Sequence, residues 1–86
     1  MEIIEKICKD ATNRDYDYIF YIELHENGYV VSTCEEDGTS YEDDVLYLYD
    51  IDGRLVANDW GTVTETCGKF KQKVDVPEGY RYKKSD

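Results

Sequence analysis

The chain has 86 residues, 41% of them hydrophobic, with twenty acids against ten bases and a net charge of −10. That length supports one domain with one modest core, and nine Tyr, two Phe and one Trp supply enough buriable surface to argue against disorder despite the charge. No run approaches the roughly 18 apolar residues of a membrane span, and the first twenty residues lack the basic-then-apolar pattern of a leader, so a cytoplasmic protein with no membrane partner is expected.

Cys8, Cys34 and Cys67 are odd in number and widely spaced, which suits a reducing compartment better than a disulfide framework. In chain order, the opening EIIEKICK sets Ile3, Ile4, Ile7 and Cys8 on one stripe of a short amphipathic helix, expected over residues 1–10 and broken by the polar stretch from Asp10 to Asp15. A sheet is expected over 16–76. Its first strand alternates Tyr16, Tyr18, Phe20, Ile22 and Leu24 onto one face, leaving Asp17, Ile19, Tyr21 and Glu23 on the other. Asn27-Gly28 reads as a two-residue hairpin turn, which would set Leu24 opposite Val31 and Ile22 opposite Thr33.

A second hairpin is expected around Asp52-Gly53, with Leu48 facing Ala57 and Tyr49 facing Val56. The β-branched TVTETC and then KFKQKVDV read as two further strands, ended by Pro77 and Gly79. Residues 77–86 are expected to be a frayed basic tail. The predicted fold is α+β: a short N-terminal helix packed on a five- to six-stranded antiparallel β-meander sheet, with one acidic, Tyr-decorated surface.

Motifs for chemistry are sparse. Asp50-x-Asp52-Gly53 resembles part of an EF-hand loop, but aligning Gly53 with the sixth-position Gly puts Leu48 where the first acid belongs, and Glu42, Asp43 and Asp44 offer only weak, nonspecific ligands. There is no C-x₂-C pair for zinc, so the cysteines read as core residues, and no metal or other cofactor is expected. His25, the single His, sits beside the Asn-Gly turn with no nucleophile motif near it and reads as an ordinary surface residue, so no enzymatic activity is expected.

Charge is the informative feature. Residues 1–14 balance to zero, residues 15–65 hold fourteen acids against Arg54 alone, and residues 66–86 carry three acids and six bases. The middle is a polyanion that would repel nucleic acid directly, while Lys69, Lys71 and Lys73 read as guards of an edge strand. Duplex DNA carries one charge per about 1.7 Å, so fourteen carboxylates match about 24 Å of duplex, close to the roughly 30 Å span of a domain this small. The expected partner is therefore the basic surface of a nucleic-acid-binding protein or nuclease, bound by a monomer or homodimer. Candidate partner-binding residues are Glu35, Glu36, Asp37, Tyr41, Glu42, Asp43 and Asp44, extended by Asp50, Asp52 and Asp59, with Tyr47, Tyr49 and Trp60 as further anchors.

In size and charge the chain resembles the small acidic proteins that phages and mobile elements use against host nucleases, anti-CRISPR proteins among them, and also the acidic immunity proteins that neutralise nuclease toxins. The resemblance covers composition over the whole chain and implies a stoichiometric inhibitor acting as a DNA mimic. The alternatives are an immunity protein and a Tyr-lined module that binds a nucleotide.

Overall fold

The computed structural model describes residues 2–14, 18–34 and 46–81. Its elements run α1 (Ile3–Thr12), β1 (Tyr18–His25), β2 (Gly28–Cys34), β3 (Leu46–Tyr49), β4 (Leu55–Ala57), α2 (Trp60–Thr66) and β5 (Phe70–Val74). The expected N-terminal helix and antiparallel sheet are both present, in an α+β fold with five strands in the order β4-β3-β2-β1-β5. Strands β1 to β4 form the expected meander, and β5 closes onto the free edge of β1, which makes the Lys-bearing strand an edge strand as predicted.

Helix α1 buries the predicted stripe: Ile7, Cys8 and Ala11 are fully enclosed, with Ile3 and Ile4 packed beside them. It runs past Asp10, contrary to the expected break. The Asp10 carboxylate is held by Arg14 one turn on, and the Thr12 hydroxyl donates back to the Cys8 carbonyl, so both polar side chains find partners compatible with the helix.

Both faces of the sheet are covered, not one. In β3 the LYLY run alternates Tyr47 and Tyr49 toward α1 and Leu46 and Leu48 toward α2, and all four are buried. Tyr47 and Tyr49 are therefore core residues, 1% and 0% exposed, and not the surface anchors expected from sequence. Each such side chain contributes about 1.5–3 kcal/mol by burial. Tyr47 and Tyr49 add nothing to the acidic, Tyr-decorated surface expected from sequence, and Tyr41 with the acids of 35–44 lies outside the described residues.

The segment TVTETC, read as a strand, is instead part of α2. The Asp59 carboxylate accepts the Thr62 N–H at 2.9 Å and starts the helix, and Val63 and Cys67 then project onto the second sheet face at helical spacing. The local preference of Thr and Val for strands is overridden by that cap and by burial of Val63, which is 0% exposed. Val63→Ala should cost about 2 kcal/mol, from two lost methyl groups and the gap they leave, measured as a shift of the urea midpoint at constant slope.

Two local irregularities explain the remaining differences. A β-bulge between Ile19 and Tyr21 makes Phe20 the extra residue, so Ile19 and Ile22 share the α1 face while Tyr21 turns to α2. Phe20, expected beside Ile22, is left 52% exposed. The first hairpin is also shifted by two residues: Leu24 pairs with Tyr29 and His25 with Gly28, so the turn is Glu26-Asn27.

That turn is drawn toward the end of α2. The Asn27 N–H donates to the Cys67 carbonyl, its side-chain amide donates to the Thr66 carbonyl at 2.7 Å, and Glu26 accepts the Lys69 N–H. Gly28 consequently lies inside the sheet at φ +145°, with the Tyr49 carbonyl so close that a Cβ there would sit 2.2 Å from its oxygen. In the second hairpin Leu48 pairs with Ala57 as expected, but an irregularity then sets Tyr49 opposite Leu55 in place of Val56.

The start of the expected frayed tail is tied down as far as Arg81. The Ile19 N–H donates to the Tyr80 carbonyl, Tyr80 packs against the α1-side core, and Arg81 bridges Ile19. The Cα radius of gyration is 11.9 Å, close to the size assumed for charge mimicry. Among the described residues no helix is long and apolar enough to cross a membrane.

Candidate functional site

The predicted contact residues fall into two groups. Glu35, Glu36, Asp37, Tyr41, Glu42, Asp43 and Asp44 lie outside the described residues. Their points of attachment are described, however. Tyr18 pairs with Cys34 and Ser32 with Leu46, so the borders of segments 15–17 and 35–45 stand together at one end of three adjacent strands.

Asp50, Asp52 and Asp59 are described, and the Asp50 and Asp59 carboxylates are each engaged by nearby backbone N–H groups. Asp50 and Asp52 share the β3–β4 turn, where Asp50 Oδ1 accepts the N–H groups of both Asp52 and Arg54 at 2.9 Å. Gly53, at φ +82°, completes the turn by donating to the Asp50 carbonyl. The backbone N–H of Arg54 is the main cause that holds the Asp50 carboxyl below its usual range. This carboxylate builds a turn and is not the remnant of a calcium loop. Asp59 stands beyond the other end of β4 as the cap of α2, and its hydrogen bond from the Thr62 backbone likewise lowers its pKa. Asp59→Ala should lower the melting temperature while Asp59→Ser retains most of it, because serine can still cap.

The structure assembles a second feature that the linear charge count conceals. Residues Lys6, Lys9, Asp10, Asn13 and Arg14 lie along one side of α1 and face Gly53, Arg54 and Leu55 across a groove of about 470 Å³. The groove gathers Lys6, Lys9 and Arg14 of the balanced N-terminus with Arg54, the single base of residues 15–65. Lys6 Nζ donates across it to the Asp52 carbonyl at 3.2 Å.

The groove wall is fixed by a polar chain. The Tyr49 hydroxyl donates to Asp10 Oδ2 at 2.6 Å, and Arg14 Nε donates to the same oxygen at 2.8 Å. Burial pushes the Asp10 carboxyl up, but the hydrogen bonds from Arg14 and Tyr49 outweigh it and hold the pKa below the ordinary value of 3.8. Tyr49 is driven the opposite way, upward, by burial first and then by the Asp10 carboxylate. A lowered folded-state pKa means that Asp10 adds stability above its unfolded value, and that this is lost as pH falls through the folded one. Asp10→Asn should therefore flatten the acid limb of urea-midpoint measurements between about pH 5 and 2.

His25 is not the plain surface residue expected. Its ring nitrogens lie 3.1 Å from the Gly68 carbonyl and 3.1 Å from Glu23, and its edge meets Phe70, so it ties β1 to the start of β5. All three cysteines are buried and reduced. Burial, and secondarily the Glu5 charge, pushes Cys8 up to about 11 from 9.0, which leaves about a hundredfold less thiolate near neutral pH. Cys8 should therefore react with a thiol reagent at pH 8 only on the timescale of unfolding, as followed by absorbance. Among the described residues no three His, Cys, Asp or Glu side chains gather where they could hold a metal.

No protein-family model, curated protein or solved structure matches this chain. The groove was missed in the sequence because its cations come from segments 40 residues apart or more, joined only when β3–β4 packs beside α1. One signal was present: positions 6, 9, 10 and 13 carry polar side chains at helical spacing, opposite the Ile stripe.

Proposed function

We propose that this protein is a stoichiometric inhibitor that binds a nucleic-acid-binding protein or nuclease through an anionic, duplex-mimicking end, as anti-defence proteins do. The observation that carries this reading is where the densest acidic sequence joins the sheet. Segments 15–17 and 35–45 hold eight acids and no base. The residues that border them pair at the same end of the sheet, Tyr18 with Cys34 and Leu46 with Ser32. Such a concentration steers association with Lys- and Arg-lined surfaces and makes it sensitive to salt.

Glu35, Glu36, Asp37, Glu42, Asp43 and Asp44 pair with cations of the target, with Tyr41 as the central anchor. Asp50 and Asp59 act chiefly through the turn and the helix cap they build. If the target is an RNA-guided nuclease, the carboxylates occupy arginines that read base edges beside the guide-paired site. The protein works inside the cell, where its targets are. An immunity role against a nuclease toxin uses the same surface chemistry and differs in the target.

The alternative of a Tyr-lined nucleotide pocket is weakened by the burial of Tyr47 and Tyr49 in the core, and none of the described tyrosines is among the residues lining the groove beside α1. Competition tests the mimic: short duplex DNA in excess should prevent an isolated target from binding immobilised protein. A target bound equally well with and without duplex contradicts mimicry.

A further inference from the structure

We propose that the groove between α1 and the β3–β4 turn is a binding site for a phosphate dianion carried by a small molecule, separate from the acidic end. Ten bases serve a chain of net charge −10, and four of them line this one groove, with Asp10 the only acid among the described lining residues. Asp10 Oδ2 is already shared by Tyr49 and by Arg14 Nε, so the one carboxylate among the described lining residues is engaged in the groove wall while the Arg14 guanidinium lines the groove with donors to spare. The Lys9 and Arg54 side chains make no hydrogen bond or ion pair among the described residues.

Part of this charge has an internal explanation. Lys9 and Arg14 lie toward the C-terminal end of α1, where cations offset the helix dipole. Lys6 donates to the Asp52 carbonyl, and the Asp50 carboxylate partly offsets Lys6 and Arg54, but Lys6 and Lys9 still repel each other at i, i+3 while Arg54 faces them from the turn. A doubly charged anion relieves all of these repulsions at once.

The donor set also fits a phosphoryl group better than a carboxylate. Two guanidinium groups and two ammonium groups offer more donors than the two oxygens of a carboxylate accept, whereas three phosphoryl oxygens carry two charges and can take several. At about 470 Å³ the groove is larger than a phosphate needs and falls within the range of small-molecule sites. Leu55, the methylene stem of Lys6 and the Asn13 amide provide both apolar contact and a hydrogen-bonding group for the organic part.

The test is an amide chemical-shift titration of the full chain at fixed ionic strength, using inorganic phosphate in one arm and a nucleoside 5′-monophosphate in the other. Saturable shifts confined to residues 6–14 and 53–55 are expected. Arg54→Gln should weaken binding about tenfold or more, while Lys71→Gln on the distant edge strand should leave it unchanged. Equal affinity for both probes would mark free phosphate as the ligand, and tighter binding of the nucleotide would place the organic part in the groove. The proposal is overturned if neither probe produces saturable shifts there, or if Lys71→Gln weakens binding as much as Arg54→Gln. Because Arg54 is exposed, matching melting curves for the two variants exclude misfolding as the cause.

Discussion

Replacing Gly28 with alanine is expected to destabilise the protein by about 3 kcal/mol or more, a large share of the roughly 5–15 kcal/mol available to a small domain. Two costs combine. The φ of +145° is strained for any side chain, and the added Cβ would lie 2.2 Å from the Tyr49 oxygen and 3.3 Å from the Leu48 side chain. Relief requires β2 and β3 to separate where Tyr29 pairs with Tyr49, in the middle of the sheet. In a domain of this size the shift in melting temperature is on the order of 15 °C.

Gly79→Ala is the matched control, since nothing lies within 4 Å of a Cβ there. Gly28→Asn is more discriminating still. If Asn27-Gly28 were the hairpin turn, asparagine would take the left-handed turn position at small cost. With the turn at Glu26-Asn27, it should be as damaging as alanine. A melting temperature within a few degrees of the parent chain for Gly28→Asn would show that the hairpin register is wrong.

Reversing Glu42, Asp43 and Asp44 to lysine together is expected to abolish binding of the inhibited partner, by at least 100-fold, because each attraction becomes a like-charge contact costing more than its removal. The net charge moves only from −10 to −4, toward less self-repulsion, so the reversal should not lower stability. Calorimetric titration against the isolated partner, with parallel thermal melts, separates the two effects. A reversed variant that melts normally and binds as before would remove this segment from the contact surface.

What could be read in advance follows the range of the interactions involved. The α1 stripe and the Leu48–Ala57 pairing rest on neighbours within a turn or a hairpin, and both were legible in the linear pattern. The edge position of β5 was legible from its alternating lysines. Helix α2 was obscured because its Thr and Val residues favour strands locally, although Asp59, three residues before Thr62, carried a capping signal.

The Phe20 bulge had no local mark, and it transfers Ile19 to the opposite face from the one its alternation implies. The first hairpin misled for a related reason. Asn27 follows the end of α2 in place of the turn preference of Asn-Gly, and that contact exists only after Thr66 and Cys67 arrive from 39 or 40 residues later. The cationic groove has the same origin, since Lys6 and Arg54 meet only in the folded chain. The uneven charge was visible as composition, but that the residues bordering the two acidic segments stand at one end of the sheet follows from the pairing of Tyr18 with Cys34 and Ser32 with Leu46.

The most direct measurement for the inhibitor reading is affinity capture from a nuclease-treated cell lysate on the immobilised protein, with elution in a rising salt gradient. The account predicts a stoichiometric nucleic-acid-binding enzyme that releases as salt rises, and that is inhibited when purified and mixed with this protein. A column that captures nothing, or a partner held regardless of salt, would contradict it and leave the carboxylates with the task of keeping a small double-faced sheet in solution.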